Sequence, residues 1–130
     1  MKRIKLVIND SSIAKLTGSE VEIFMEDEGT VLDLLVKLDE VVRGKGAFPY
    51  PEYKGLLHMI YNPVEDRLYK QVGLHAHTPG KFYNVRNNIH HELVDGMTVI
   101  LVPYAGCISH FEEPLSYEEF TKALSKRISH

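Results

Sequence analysis

Residues 95–103 read DGMTVILVP, an Asp-Gly turn followed by a β-rich run. The run from Met97 to Pro103 is apolar at successive positions, so a strand formed by it would be buried on both faces. A strand buried on both faces belongs in the middle of a sheet. We therefore predict a central strand over residues 97–103, with strands from elsewhere in the chain on either side.

Two strands are predicted near the N-terminus. Apolar side chains alternate with more polar ones from Lys2 to Asn9 and again from Glu20 to Glu26, which is the period of a half-buried strand. Residues 9–12, NDSS, are typical of a turn. These two segments therefore predict a β-hairpin with one face directed inward.

A capped helix is predicted after the hairpin. Thr30 stands at the N-cap position, and Asp33 follows three residues later as a variant of the capping box. From Val31 to Val42, apolar residues recur every three or four positions and form one stripe. Gly44 and Gly46 are expected to end this helix, whose apolar stripe would pack on the sheet.

The middle of the chain is less regular. Leu56 to Tyr61 predicts a third strand, which Asn62 and Pro63 would end. Residues 64–84 predict an inserted hairpin or a long ordered loop.

The last 23 residues predict an amphipathic helix. Ser116 and Glu119 fit a capping box, and Leu115 and Phe120 are placed as a hydrophobic staple. The apolar face of this helix would either fold back on the sheet or bind another subunit, and folding back hides it without a partner. Its members are Tyr117, Phe120, Leu124 and Ile128.

Three segments resemble a known family. Residues 30–35, TVLDLL, residues 93–106, LVDGMTVILVPYAG, and residues 60–62, IYN, are similar to segments of the sulfur-carrier small subunit of molybdopterin synthase and of the thiamine-pathway sulfur carriers. The resemblance implies an α+β fold of β-grasp (ubiquitin-like) type, a mixed sheet packed on one main helix. It divides the chain into a β-grasp domain at 1–107, with an insertion at 64–84, and a C-terminal extension at 108–130.

The same resemblance implies a function. These carriers are not enzymes: an adenylating enzyme activates their terminal glycine, and sulfur then replaces AMP. The corresponding tail here is Ala105, Gly106 and Cys107, with Tyr104 as an interaction residue. Cys107 replaces the second glycine and the chain continues to His130, so either a protease cuts after Gly106 or the chain no longer carries sulfur. The implied partner is a protein, an adenylating enzyme or a synthase large subunit, and no cofactor is implied.

Composition excludes several classes of protein. The formal net charge is −3 and the pI is about 6.1, so the chain lacks the basic character of a nucleic-acid-binding protein. The N-terminal apolar run is too short for a membrane span or a secretory signal, which predicts a cytoplasmic protein. A single cysteine, Cys107, excludes an internal disulfide.

Several residues allow a sharper and a plainer interpretation. Cys107 is either a nucleophile with His110 as its base or an inert thiol. The acidic residues between Glu20 and Glu28 are either a docking face or simply solvated. The alternative function is a protein-interaction or assembly module, which includes a homo-oligomer. The histidines of such a module would either bind a metal ion or be scattered surface side chains without a ligand role. The candidate ligands are His75, His77, His90 and His91.

Overall fold

The computed structural model describes residues 1–104 and 111–128. Nine of the eleven elements in these ranges lie before residue 84. In chain order they are β1 (Lys2–Ile8), α1 (Ser11–Thr17), β2 (Glu20–Met25), α2 (Val31–Lys45), α3 (Leu56–Ile60), β3 (Tyr61–Asn62), β4 (Arg67–Leu68), β5 (Gly73–Thr78), β6 (Lys81–Tyr83), β7 (Thr98–Val102) and α4 (Tyr117–Ile128).

Five strands form one mixed sheet in the order β2-β1-β7-β5-β6. β1 and β7 run parallel, with Leu6 opposite Val99, while the other neighbouring pairs are antiparallel. β3 and β4 form a separate two-stranded ribbon. A hairpin, a helix and a last strand inserted in parallel beside the first strand define the β-grasp fold, so the chain has the predicted α+β architecture.

The core lies between this sheet and α2. Each strand directs alternate residues inward, as for Ile4, Leu6 and Ile8 of β1, which are all buried. The apolar stripe of α2 covers them, and the remaining polar side chains of the helix face mostly outward. Burial of this one continuous cluster supplies most of the stabilisation of the fold.

The features with local sequence signals are confirmed. The N-terminal hairpin pairs Ile4 with Ile23, and β7 lies between β1 and β5 in the middle of the sheet. The α2 capping box is present: Asp33 N–H donates to Thr30 Oγ1 at 3.3 Å, and Thr30 N–H donates to Asp33 Oδ2 at 3.0 Å. The helix extends to Lys45, three residues beyond the prediction, so Gly44 lies inside it and Gly46 alone is its C-cap.

Two predictions about local structure are wrong. Residues 56–60 form helix α3 and not a strand, and the connection predicted as a turn at residues 9–12 contains the start of helix α1, which runs from residue 11 to residue 17. An apolar run of five or six residues does not distinguish a buried strand from a buried helix. The first N–H groups of a helix have no acceptor within the helix. In α3 the Leu57 N–H is accepted by the carboxylate of Asp39 in α2, at 3.0 Å, and this bond from outside the segment favours the helix.

The hairpin of residues 73–83 has a larger role than predicted. β5 pairs with β7 and β6 pairs with β5, so the segment expected to be an insertion or loop provides two of the five strands. The domain limits at 1–107 and 108–130 stay predictions.

The C-terminal helix folds back on the body of the protein. One half of the predicted capping box is present, with Glu119 N–H donating to Ser116 Oγ at 3.2 Å, while the Glu119 carboxylate accepts from the Ser116 hydroxyl at 3.1 Å. Phe120 is 1% exposed and belongs to the core, whereas Ile128 at the other end is 38% exposed. Across residues 1–104 and 111–128, no helix combines the length and the apolar character that crossing a bilayer requires.

Candidate interaction site at the end of the last strand

The predicted carrier tail, Ala105, Gly106 and Cys107, lies outside the described residues, and so does His110. The residues on either side of it are described and lie together. The Tyr104 and Phe111 ring centroids are 5.8 Å apart, at an interplanar angle of 60°. Both rings are about half exposed, at 48% and 43%. Tyr104 and Phe111 therefore form one exposed aromatic pair.

A cavity of about 300 Å³ opens beside this aromatic pair. Within it, Tyr50 Oη donates a hydrogen bond of 2.7 Å to Asp10 Oδ2, and this bond is the main cause that raises the Tyr50 pKa. The same Asp10 carboxylate caps α1 by accepting the Ile13 N–H at 2.9 Å, so it is fixed in place. The lining residues are Asp10, Tyr50, Glu52, Tyr53, Met59, Tyr104 and Phe111.

A second cavity of about 280 Å³ shares Glu52, Tyr53 and Phe111 with the first. Burial raises the pKa of Tyr53, and the carboxylates of Glu52 and Glu113 raise it further. Among the described residues, the two cavities are lined by three carboxylates and by no lysine or arginine. This surface is therefore aromatic and negatively charged, which suits a cationic group on a partner. The lining residues are Glu52, Tyr53, His58, Phe111, Glu113, Pro114 and Leu115.

The chain after Phe111 is held by a charged clamp. Arg67 Nη1 and Nη2 donate to Glu112 Oε1 and Oε2 at 2.7 and 2.6 Å, and the Lys70 N–H adds a third bond of 2.8 Å to Oε1. Hydrogen bonding from Arg67 is the main cause that lowers the Glu112 pKa to about 2. A two-point arginine–carboxylate pair is among the stronger contacts in proteins.

His58 continues this anchoring. The Lys54 N–H donates to His58 Nδ1 at 3.1 Å, so Nε2 carries the proton and donates to the Leu115 carbonyl at 2.8 Å. The ring is 4% exposed and packs against Phe120, with 5.2 Å between ring centroids. His58 is therefore a buried residue whose two ring nitrogens are both hydrogen-bonded.

Of the predicted interaction residues, only Tyr104 is well exposed. Phe120 is inside the core and cannot contact a partner in this arrangement. The apolar face of α4 packs against the body of the protein, which is the alternative that needs no partner. Tyr117 and Leu124 are half-buried against the same cluster.

The predicted histidine ligands are spread over the surface. His75 and His77 lie on one face of β5, but His77 packs against Phe82. His90 Nε2 bonds to Asp66 Oδ2, and His91 Nδ1 bonds to the Glu92 carbonyl. Within the described ranges, no three His, Cys, Asp or Glu side chains are grouped so that they could hold a metal ion.

Part of the acidic run is neutralised within the chain. Glu20 lies 4.0 Å from Lys5 and Glu22 lies 3.9 Å from Arg3, both across the β1–β2 hairpin. The N-terminal amine lies 2.9 Å from Asp27 Oδ1 and lowers the pKa of that carboxyl, chiefly through a hydrogen bond. These exposed pairs fit the plainer interpretation of a solvated face.

Comparisons with known proteins match the fold only. No family model and no curated protein matches the chain. Two crystal structures of small archaeal modifier protein 1 from Haloferax volcanii are similar to it. The first has a TM-score of 0.47 and 15% identity, covering 80% of this chain and 99% of the modifier. The second has a TM-score of 0.44 and 16% identity, covering 83% and 98%.

Several residues at this site were missed from the sequence. Glu112 and Arg67 are 45 positions apart, and Gln71, whose amide bonds the Glu112 backbone, is 41 positions away. No periodicity or motif connects such positions. The one usable signal is the mixture of polar and aromatic residues in 67–71, RLYKQ, which is unusual for a segment that the structure largely buries.

Proposed function

We propose that this chain is a non-catalytic, cytoplasmic β-grasp protein of sulfur-carrier type that acts by docking a protein partner at the end of β7. The observation that carries the proposal is the exposed Tyr104–Phe111 pair beside two carboxylate-lined cavities. Half-exposed aromatic rings beside fixed charges are typical of protein interfaces. Residues 93–106 resemble sulfur carriers, and this resemblance also favours a functional site at the end of β7.

The surface defines the chemistry of the partner. Asp10, Glu52 and Glu113 supply negative charge around the aromatic rings, so the partner should present a basic and partly apolar patch. An adenylating enzyme that receives the tail would meet this surface first. We expect the docking to orient residues 105–107 and to leave the chemical steps to the partner.

Carrier chemistry requires a carboxylate at Gly106. Hydrolysis of the Gly106–Cys107 peptide bond would supply it. The Gly106 carboxylate would then attack the α-phosphorus of ATP and release pyrophosphate. A hydrosulfide equivalent from a sulfur donor would next attack the acyl carbon, and AMP would leave with the electron pair of the broken C–O bond. A glycine suits this role because an end without Cβ can enter a narrow channel.

Intact mass measurement tests this function. The protein is isolated from its native host and measured before and after incubation with the cognate adenylating enzyme, ATP and a sulfur donor. The expected product ends at Gly106 and is heavier than the plain acid by the difference between sulfur and oxygen. Finding only the full-length, unmodified chain in both samples would contradict the carrier proposal.

A second function is favoured by one specific observation. The clamp holds the chain at Glu112, a short distance in sequence after the predicted tail, and in the uncut protein the carboxyl group of Gly106 is part of the peptide bond to Cys107. Such a protein would act as a binding or assembly module with its full length intact. A partner that binds the full-length chain at the Tyr104–Phe111 surface, with no cleavage and no added sulfur, would support this function over the first.

A further inference from the structure

The segment that follows the tail lies in a groove formed by the first part of the chain. We infer that residues 58–71 form a peptide-binding groove, whose ligand is an acidic extended peptide that continues into an amphipathic helix. In this chain the ligand is residues 111–128. We further infer that the groove holds this segment without the covalent connection through residues 105–110.

The body of the protein recognises the Glu112 side chain specifically. Its carboxylate receives three hydrogen bonds, two from Arg67 and one from the Lys70 N–H, all between 2.6 and 2.8 Å. Its neighbour Glu113 is exposed, and within the described part of the chain its side chain forms no hydrogen bond or ion pair. The groove therefore selects one acidic position and ignores the next.

The groove also forms hydrogen bonds with the peptide backbone of the segment. Gln71 Nε2 donates to the Glu112 carbonyl at 3.0 Å, and Gln71 Oε1 accepts the Glu112 N–H at 3.1 Å. Tyr69 Oη accepts the Leu115 N–H at 3.0 Å, and His58 Nε2 donates to the Leu115 carbonyl at 2.8 Å. Both backbone groups of Glu112 and of Leu115 are thus satisfied by side chains of the body.

The three side chains that make these bonds are themselves buried. His58, Tyr69 and Gln71 are 4%, 1% and 2% exposed. Buried polar groups are costly unless they are hydrogen-bonded, and here the partners are provided by the segment. Three buried side chains that bond to the backbone of one segment indicate a specific peptide-binding site, which an incidental surface contact would not provide.

The helix adds an apolar anchor and a polar one. Phe120 fills a position in the core next to His58. Near the other end, Arg127 donates to the carbonyls of Pro63 and Val64 at 2.9 and 3.1 Å. Contacts are therefore distributed along the whole segment, which keeps it bound even when its N-terminal connection is lost.

The groove determines what happens after cleavage behind Gly106, a step that rests on the proposed function. A protease that cuts after Gly106 would produce a two-chain complex, in which the second piece stays bound beside Tyr104. The carrier would then function with its C-terminal piece as a permanent, non-covalent subunit. The groove itself depends only on the contacts and not on the carrier chemistry.

The test uses the full chain with a specific protease recognition sequence placed within residues 105–110. The protein is folded intact, cut to completion and examined by size-exclusion chromatography and native mass spectrometry. We expect both pieces to elute together at the mass of the uncut protein. Separation of the pieces under native conditions would overturn the inference.

Competing peptides test the specificity of the groove. A labelled synthetic peptide with the sequence of residues 111–128 is exchanged into the cut complex and displaced by unlabelled variants. We expect Glu112→Gln to weaken competition by about 10- to 100-fold, and Glu113→Gln to change it by less than about twofold. Equal effects of the two substitutions would contradict the assignment.

Amide hydrogen exchange on the unmodified chain gives a readout that requires no inserted sequence. The Glu112 and Leu115 amides should exchange as slowly as the core of the sheet, because both are bonded inside the groove. Fast exchange at both amides would overturn the inference. The exchange rates test the groove only, and the carrier function is tested by the intact mass measurement. A failure of the groove inference can therefore be told apart from a failure of the proposed function.

Discussion

Glu112 and Arg67 form a two-point ion pair that connects the C-terminal segment to the ribbon strand β4, with N–O distances of 2.7 and 2.6 Å. Both side chains are partly shielded, with 23% of Glu112 and 34% of Arg67 exposed. A shielded pair of this geometry is worth more than an open surface salt bridge. Removal of the Glu112 charge leaves Arg67 with the weaker contact to Glu65, at 3.2 Å.

Substitution of Glu112 should therefore lower stability. We expect Glu112→Gln to reduce the free energy of unfolding by about 2 kcal/mol at neutral pH, because Arg67 loses its two-point carboxylate partner and keeps only Glu65 at 3.2 Å. The backbone bonds between Glu112 and Gln71 stay. The measurement is urea denaturation followed by circular dichroism. Glu113→Gln is the matched control and should change the value by less than about 0.5 kcal/mol.

The same pair predicts a pH dependence. The Glu112 pKa is lowered from 4.5 to about 2 in the folded protein, so its contribution to stability is present above pH 4.5 and is lost as the pH falls toward 2. The difference in unfolding free energy between wild type and Glu112→Gln should be constant near neutral pH and shrink below pH 4.5. A difference that stays constant down to the lowest accessible pH would contradict this assignment.

The buried ring of Phe120 predicts that α4 is an integral part of the fold. Phe120→Ala should cost about 3–4 kcal/mol, since it removes a ring that is 1% exposed and leaves a cavity beside His58. Ile128→Ala in the same helix should cost less than about 1 kcal/mol, because this side chain is 38% exposed. Thermal unfolding of both variants gives the comparison, and equal losses would show that Phe120 is not a core residue.

Substitution of Tyr104 should weaken docking of the partner without lowering the stability of the fold. Tyr104→Ala should leave the free energy of unfolding within about 0.5 kcal/mol of wild type, since the ring is about half exposed. It should weaken docking to the cognate adenylating enzyme about tenfold, a loss typical of an aromatic interface residue. Phe82→Ala removes a more exposed ring on β6 and should leave docking unchanged. Equal weakening by the two variants would place the interface elsewhere.

The sequence predicted those parts of the fold whose signals are local. The hairpin alternation, the Thr30–Asp33 capping box and the apolar run of β7 each specify an element through neighbouring residues. Helix α3 could not be predicted in this way, because the acceptor at its start comes from Asp39, 18 residues earlier. The clamp on Glu112 was missed for the same reason, since its partners meet only after the chain has folded.

Two glycines predict stability changes of opposite sign and test the packing between α2 and α3. A Cβ at Gly44 would meet nothing within 4 Å, so Gly44→Ala should stabilise the helix by about 0.5–1 kcal/mol. A Cβ at Gly55 would lie 2.8 Å from Asp39 Oδ1. That carboxylate is fixed, because it also pairs with Arg43 at 2.9 Å and accepts the Leu57 N–H.

Gly55→Ala must therefore displace a buried carboxylate from two partners, and we expect a loss of about 1–3 kcal/mol. Denaturation of both variants in parallel gives the two signs in one experiment. If Gly55→Ala were as stable as wild type, Asp39 could move without cost and would not be what holds the start of α3. The opposite signs are expected because one glycine faces open space and the other faces the group that determines the local structure.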